Sequence, residues 1–482
     1  MATVPIPEPE TTPPVFDDEW PVECQISTTH PLSPQQDPSS GPCLNWLFVD
    51  LNSYFASVEQ EVRPDLRGRP VGVVPMLADT TVCIAASYEA KAFGVKTGTV
   101  VADAKRMCPD IALVEARHEI YVDYHHRVIE AVESCLPVAS VLSIDEMACR
   151  LMGRERPLLA ALELGRKVKA RIRDRVGPML RSSVGLATNR YLAKIASDME
   201  KPDGLVALPL DILPEALAQL SLRDLPGIGA QTEKRLNAKG IHTMPQLLAL
   251  NCEQAGELWG SVWGERLWHW LRGEDFDMSE TEHNKSISHS HVLSPDMRTP
   301  DKAWAVAHKL LHKAAMRLRA GGLWAGSIGL AIGFSVPRGQ KAPVSHPSDK
   351  DPSPGTPVSR FGVPTRGWHS ELRLSECQDN QTLIAALRRL WASRPAAGTE
   401  TGTDYDQPYF VGVQLNGLVP DRLHSLNLFD SLDNAKSRTR LLAAMDELNH
   451  KYGTSALAPA AMLTAFKAAP TRIAFNNIPD LF

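Results

Sequence analysis

The sequence lacks the marks of a membrane, secreted or zinc-stapled protein. No apolar run reaches the roughly 18 residues that a membrane-spanning helix requires, and the N-terminus has no basic segment followed by an apolar core, as a signal peptide would. The eight cysteines are scattered, without a Cys-x-x-Cys pair. We therefore expect a cytosolic protein with reduced thiols and no membrane partner, rather than a disulfide framework or a zinc site.

Lysine and arginine are absent from positions 1–43, which hold seven acidic residues and many prolines. Because the 482-residue chain has a formal net charge of −5, the part that follows this segment carries +2. A near-neutral body can hold a local basic groove, but this charge alone does not indicate a nucleic-acid partner. Residues 1–43 are predicted to be a disordered tail, since they lack a periodic apolar pattern.

A chain of this length needs several domains. Outside two tracts dense in turn-forming residues, 337–366 and 393–407, strand-like and helix-like patterns alternate, which predicts an α+β multidomain fold with a disordered insertion at 337–366. Residues 209–277 are predicted to be all-helical, and residues 285–430 to be mixed. Further strands are predicted at Leu47–Leu51, in a hairpin over Ser140–Met152 and at Ser182–Ala187, with helices at Pro157–Val176 and through Leu192, Ile195 and Met199.

Two strand-like runs end in carboxylates. The run Phe-Val-Asp-Leu-Asn contains Asp50, and the run Val-Leu-Ser-Ile-Asp-Glu contains Asp145 and Glu146. Gathering three acids costs repulsion and desolvation, but a divalent metal among them offsets this cost, because Mg²⁺ takes hard oxygen ligands. These acids, together with the backbone carbonyl of Leu51, are predicted to form a two-metal site for phosphoryl-type transfer.

An aromatic pair, Tyr54 and Phe55, follows the first acid closely. A flat ring beside a metal-bound nucleotide would stack under the sugar and exclude a 2′-hydroxyl by steric clash. For Tyr54 a place in the core is favoured, and for Phe55 the contact with the sugar is favoured.

Five segments resemble, in order, the Y-family of translesion DNA polymerases, the DinB/UmuC type. Two of them are the Asp-Leu-Asn-Ser-Tyr-Phe-Ala-Ser-Val-Glu that starts at Asp50 and the Ser-Ile-Asp-Glu that ends at Glu146. The resemblance runs from about residue 45 to the region of residue 429. The other three segments are Ala85–Gly98, similar to the fingers, Ser183–Gly204, similar to the palm helix and triphosphate-binding turn, and Leu225–Gly229, similar to the thumb hairpin.

This resemblance implies a right-hand polymerase that extends a primer 3′-end with deoxynucleoside triphosphates on template DNA, at low fidelity and past damaged bases. No exonuclease-like segment remains once the domains are assigned, so no proofreading is expected. It implies that Asp50, Asp145 and Glu146 hold two Mg²⁺ ions and that Phe55 is the steric gate against ribonucleotides. The implied domains are a palm at 44–53 and 116–208, fingers at 54–115, a thumb at 209–277, a little finger at 285–430, and a C-terminal helix and tail at 431–482.

The nucleotide-binding residues implied by the resemblance are Tyr54, Tyr88, Lys91 and Lys201. Many family members carry Arg where this chain has Lys91. Lysine supplies a point charge in place of a planar, bidentate fork, so phosphate binding at this position is expected with a different geometry.

Candidate DNA contacts lie in the implied thumb and little finger. The Leu-Pro-Gly-Ile-Gly hairpin has the form of a helix-hairpin-helix, whose backbone N–H groups approach a phosphate without reading base sequence. Another basic series lies within 166–181 and includes Lys169. For this series a solvated charged face is favoured over contact with phosphate. The predicted DNA-binding residues are Gly227, Gly229, Lys234 and Arg235 in the hairpin region, and Lys309, Lys313 and Arg317 on one face of a helix over 302–319.

A peptide near the C-terminus, Ser-Leu-Asn-Leu-Phe, is similar to the peptides by which bacterial polymerases dock on a sliding clamp. Leu426, Leu428 and Phe429 would fill an apolar pocket of the clamp. The rival peptide is Ile478–Phe482. Simple packing of the tail is the alternative for both peptides, and for the first it is about equally favoured.

The alternative to an enzyme is a non-catalytic accessory that binds DNA and the clamp through a polymerase-like scaffold. A third hypothesis, a metal-dependent nuclease or cyclase, has no support from the segments that resemble a thumb and little finger.

Overall fold

The computed structural model describes residues 43–79, 81–276, 286–335, 365–394, 408–424, 432–452 and 456–465. The predicted N-terminal tail, nearly all of the insertion and both candidate clamp-binding peptides lie outside the described residues. Among the helices that are described, none is both long and apolar enough to cross a bilayer. The seven described cysteines are all free thiols.

The strands that the sequence predicts are present, with ends that differ by a few residues, and the short strands at Val71–Val74, Ala85–Ala86, Ala112–Glu115 and Leu205–Leu208 were not predicted. The strands are β1 Trp46–Leu51, β2 Val71–Val74, β3 Ala85–Ala86, β4 Ala112–Glu115, β5 Val138–Val141, β6 Glu146–Arg150, β7 Ser182–Ala187, β8 Leu205–Leu208, β9 Ser286–Val292, β10 Leu323–Ser335, β11 Thr365–Cys377 and β12 Pro408–Pro420.

The helices confirm the prediction that strands and helices alternate, with an all-helical stretch after β8. The helices are α1 Tyr54–Val62, α2 Tyr88–Ala92, α3 Val101–Met107, α4 His118–Glu133, α5 Leu158–Arg175, α6 Arg190–Met199, α7 Leu213–Ala218, α8 Ala230–Ala238, α9 Met244–Leu248, α10 Cys252–Trp259, α11 Val262–Leu271, α12 Pro300–Ala320, α13 Asn380–Ala392 and α14 Leu432–Tyr452.

One compact unit comprises residues 43–52 and 128–276 of the described chain. Its sheet has the order β5-β6-β1-β7-β8, with β1 in the centre and antiparallel to both neighbours. Helix α6 packs on β7 and β1 through Leu192 and Ile195, which are buried as predicted. Met199 corrects the prediction, because this last residue of α6 is 37% exposed where the helix ends. The helices after β8 extend the same core through Leu217 and Leu267.

The second unit comprises the described residues within 53–127 and 286–465. Residues 53–127 contain a three-stranded sheet of order β3-β2-β4. Residues 286–420 contain an antiparallel sheet of order β11-β10-β12-β9, and α12 and α13 pack against it. Strand alternation directs Ile328, Leu330 and Val413 into the core beneath these helices. Both units are α+β, as the sequence predicts.

Candidate active site

The three predicted acids meet at one end of the first unit's sheet. Asp50 stands near the end of β1 and is paired in register with Glu146, the first residue of β6. The backbone N–H of Leu51 donates to the carbonyl of Asp145 at 2.9 Å. The antiparallel pairing of β1 with β6 therefore brings together residues that lie almost 100 positions apart in the chain.

The electrostatics of these acids follow from burial. Asp50 is 4% exposed, and the Asp145 carboxylate accepts a hydrogen bond from the Ser143 hydroxyl at 2.6 Å. Burial raises the pKa of Asp145 to about 6, the Ser143 bond opposes this rise, and the negative charges of Asp50 and Glu146 add to it. The cluster therefore favours a cation beside it.

Lys194 on α6 supplies one such cation, although the sequence pattern did not single it out. Its Nζ lies 2.5 Å from Asp50, 2.8 Å from Glu146 and 3.1 Å from Asp198. Burial alone would lower the pKa of Lys194, but the three surrounding carboxylates outweigh burial and raise it. The available sequence signal was the four-residue spacing of Lys194 and Asp198 inside the palm-like segment.

Lys201, predicted to bind phosphate, lies in the same cluster. Its Nζ is 2.7 Å from Asp50 and 2.6 Å from Asp198. Two ammonium groups thus converge on the Asp50 carboxylate, and either could instead neutralise an anionic substrate group placed there.

The three acids are of the donor type that suits a hard divalent cation. Among the described residues, no three His, Cys, Asp or Glu side chains close tightly enough to hold an ion. The Lys194 ammonium bridges an oxygen of Asp50 and an oxygen of Glu146, as a bound cation would. Carboxylate oxygens around a bridging cation are the ligands that Mg²⁺ takes.

Gly185 allows the helix that carries Lys194 to approach the sheet. A Cβ atom at this position of β7 would lie 2.0 Å from the carbonyl oxygen of Ala193 and 2.4 Å from the backbone nitrogen of Ser197. Only glycine leaves room for this contact. The close packing sets Lys194 and Asp198 above the end of β1.

The aromatic pair lies in the second unit, where both rings are buried. The Tyr54 hydroxyl donates to the carbonyl of Tyr121 at 2.6 Å. The Phe55 ring stacks on the ring of Tyr121, with 4.5 Å between centroids. The Tyr121 hydroxyl donates to the buried Glu59 at 2.8 Å, and Arg117 pairs with the same carboxylate at 2.5 Å. The sequence pattern did not indicate that Tyr121 supports Phe55, because this contact joins two helices, α1 and α4, that are distant in the chain.

The other predicted nucleotide contacts in the second unit belong to α2. The Nζ of Lys91 lies 4.1 Å from the ring centroid of Tyr88, in a cation–π contact. This contact places the point charge of Lys91 next to an aromatic ring on the same helix.

The predicted hairpin has the expected local form. Ile228 is buried, whereas its neighbour Gly227 adopts a φ of +88°, a conformation that glycine tolerates best. Gly229 is the N-cap of α8, on which Lys234 and Arg235 are exposed. The hairpin therefore presents backbone N–H groups and two cations to solvent.

The basic face of α12 is less open than its spacing predicts. Lys309 is only 5% exposed, and its ammonium donates to the carbonyl of Ala465 at 3.3 Å. Lys313 and Arg317 are half-buried, and burial together with the charge of Lys309 lowers the pKa of Lys313 to about 8. Tertiary packing of the segment 460–465 covers this face, which the spacing within α12 does not encode.

Comparison with known proteins agrees with this architecture. The sequence profile of the impB/mucB/samB family matches residues 49–198, and the profile of that family's C-terminal domain matches residues 284–428. The profile of the DNA polymerase-iota thumb domain matches residues 223–275.

Two similar bacterial proteins are each named DNA polymerase IV. The one from Moorella thermoacetica is 32% identical over 424 residues, covering 87% of this chain and 96% of the relative. The one from Pelotomaculum thermopropionicum is 30% identical over 423 residues, covering 87% and 95%. A solved Y-family DNA polymerase chimera of Dbh and Dpo4 has a TM-score of 0.59 at 23% identity, over 78% of this chain and 99% of the chimera, which shows the same fold.

The fold and these similarities define a DNA-directed DNA polymerase. The chain belongs to the impB/mucB/samB family, the Y-family of translesion DNA polymerases. It performs template-directed, low-fidelity DNA synthesis in damage tolerance, and the accessory hypothesis is not favoured.

Proposed function

We propose that Asp50, Asp145 and Glu146 carry the nucleotidyl transfer, with Lys194 and Lys201 as the cations of the site. The observation that supports this most strongly is the convergence of both ammonium groups on the Asp50 carboxylate, which is paired in register with Glu146. The carboxylates of Asp50, Asp145 and Glu146 would hold two Mg²⁺ ions, with the carbonyl of Leu51 as a further oxygen ligand.

When bound, such ions lower the pKa of the primer 3′-hydroxyl and neutralise the pyrophosphate that leaves. The residues of this chain contribute charge and position. Asp50, Asp145 and Glu146 supply the negative charge that holds the ions, and Lys201 takes a triphosphate oxygen in place of its carboxylate partners. Lys91 adds a second phosphate contact, next to Tyr88.

Sugar selection is assigned to Phe55, which lies five residues after Asp50 in the chain. Its stack on Tyr121 holds the ring in one orientation, and a rigid ring rejects a 2′-hydroxyl better than a mobile one. Tyr54, whose hydroxyl bonds to backbone, supports the same surface.

Primer–template DNA and deoxynucleoside triphosphates are the proposed partners. Gly227 and Gly229 would hold a DNA phosphate through backbone N–H groups, and Lys234 and Arg235 would add charge. The proposed division is a palm at 44–53 and 116–208, fingers at 54–115, a thumb at 209–277 and a little finger at 285–430. In the little finger, the half-buried Lys313 and Arg317 of α12 would contact the DNA backbone.

A primer-extension gel with Mg²⁺ tests this function directly. A labelled primer on a longer template is expected to lengthen by single nucleotides when all four deoxynucleotides are present. An unchanged primer that the protein nevertheless binds would support the accessory hypothesis, and a shortened primer would support a nuclease.

A sliding clamp is the proposed protein partner, and Leu426, Leu428 and Phe429 are its proposed contacts. Deleting Leu428 and Phe429 is expected to weaken binding to the clamp by about tenfold or more, because apolar anchors of this kind dominate such interfaces. Surface plasmon resonance on immobilised clamp measures the change.

The matched control deletes the other Leu-Phe pair, Leu481 and Phe482. If the deletion of Leu481 and Phe482 abolishes clamp binding and the deletion of Leu428 and Phe429 does not, the clamp-binding peptide is the one at the C-terminus. Unchanged binding in both variants would remove both peptides from the proposal.

A further inference from the structure

Lys169 differs from the other basic residues of α5. Its pattern in the sequence favours a solvated face, yet only 18% of its side chain is exposed. The ammonium group donates to the carbonyl oxygens of Asp203 and of Gly204, the latter at 3.1 Å, and lies 2.9 Å from the Asp203 carboxylate. A single cation on the helix thus binds three oxygen atoms of one turn.

The same turn is held from its other side by Asn52, which follows β1, and by Ser183 of β7. The side-chain oxygen of Asn52 accepts from the backbone N–H of Asp203 at 2.7 Å. The Ser183 hydroxyl accepts from the N–H of Gly204 at 3.3 Å and from the Asn52 amide at 3.1 Å. Asn52 and Ser183 are both buried. Donors of this turn therefore face the sheet, and its acceptors face Lys169.

The backbone of the turn needs such support. Asp203 has a φ of +61°, in the left-handed region that residues other than glycine rarely adopt. Conformations of this kind persist where the surrounding structure fixes them. Lys201 is part of the same turn and reaches Asp50 and Asp198. The position of its ammonium group therefore depends on how firmly the turn is held.

We propose that Lys169 is a positioning residue that holds the turn 201–204, keeps Lys201 beside Asp50 and thereby sets the affinity for the incoming nucleoside triphosphate. The inference rests on the proposed phosphate-binding role of Lys201. Lys169 acts through the turn, and its expected effect is on substrate affinity.

Single-nucleotide insertion kinetics with the full chain test the inference. Lys169→Met is expected to raise the KM for the deoxynucleotide about tenfold, the lower end of the loss seen when a hydrogen-bonded partner behind a metal ligand is removed. The kcat is expected to stay within about threefold of the unmodified protein, since the groups at the reacting atoms are intact. Lys169→Arg is expected to recover most of the affinity, because a guanidinium can donate to the same oxygens.

Lys167→Met is the matched control, because Lys167 is an exposed lysine on the same helix. Its KM is expected to equal that of the unmodified protein. An unchanged KM in a folded Lys169→Met variant would overturn the inference. A Lys169→Met variant in which kcat, DNA affinity and melting temperature all fall along with nucleotide affinity would also overturn the inference, because such a result indicates a general loss of structure.

A double-variant cycle adds a second measurement. The double variant Asp203→Asn/Lys169→Met is expected to raise KM by less than the product of the two single-variant increases, since both substitutions disrupt the same contact. Fully additive effects would contradict the direct link. All of these assays start from a protein that extends primers. A protein that extends no primer would instead refute the proposed function.

Discussion

The double variant Asp145→Ala/Glu146→Ala is expected to lose primer extension by about a thousandfold or more. The variant removes two of the three carboxylates that are proposed to hold the ions, and metal stabilisation of the transition state is worth several kcal/mol. The rate of single-nucleotide insertion in Mg²⁺, measured at saturating DNA, gives the loss.

Binding of primer–template DNA by the same variant is expected to change little. The backbone N–H of Leu51 bonds to the carbonyl of Asp145 and not to its side chain, so the pairing of β1 and β6 survives the substitutions. Removing negative charge near DNA reduces repulsion of the phosphates, so no loss of binding is expected. Fluorescence anisotropy of a labelled duplex measures this affinity.

Glu163→Ala is the matched control for the loss of an acid. Glu163 is an exposed residue of α5 in the same unit, and its removal is expected to leave the insertion rate unchanged. Full extension by the Asp145→Ala/Glu146→Ala variant would refute the assignment of the active site.

Phe55→Ala is expected to reduce discrimination against ribonucleotides by about a hundredfold, a size typical of a steric contact in a pocket. The ratio of kcat/KM for a deoxynucleotide to that for the matching ribonucleotide is the measured quantity. The kcat/KM for the ribonucleotide is expected to rise strongly, because the change removes a clash with the 2′-hydroxyl. The kcat/KM for the deoxynucleotide is expected to fall by a much smaller factor.

The burial of Phe55 calls for a stability control. Its ring stacks on Tyr121 and is 4% exposed, so truncation to alanine costs about 3–5 kcal/mol of stability. Phe55→Leu retains most of the apolar volume and is expected to relax sugar selection to a smaller extent. Melting curves establish that each variant is folded at the assay temperature.

Tyr54→Phe separates the two rings of the aromatic pair. It removes only the hydroxyl that donates to the carbonyl of Tyr121, so sugar discrimination is expected to remain close to that of the unmodified protein. Unchanged sugar selection in folded Phe55→Ala would end the gate assignment, and relaxed selection in Tyr54→Phe would move it to the neighbouring ring.

Local pattern was enough to locate most elements and the acids. The strand that contains Asp50, the hairpin that carries Asp145 and Glu146, and the helices after residue 209 all follow from alternation, periodicity and turn residues near in sequence. An acid at the end of a buried strand is conspicuous because its charge interrupts an apolar run. Such signals involve only neighbouring residues, so the sequence alone contains them.

The cations around the acids required the tertiary structure. Lys194 meets Asp50 across 144 positions because α6 packs closely on β7 at Gly185. Tyr121 supports Phe55 from another helix. Neither partner is marked in the sequence, since a lysine on a helix and a tyrosine on a helix have many possible surroundings.

Solvent exposure also depended on tertiary packing. Lys309 and Lys169 lie in helical patterns typical of solvated basic faces, yet Lys309 is covered by the segment 460–465 and Lys169 is bonded to the turn 201–204. The sequence by itself determined the order of the elements, the place of the three acids and the family. The structure decided which charges meet and which are buried, because those contacts depend on how segments distant in the chain pack together.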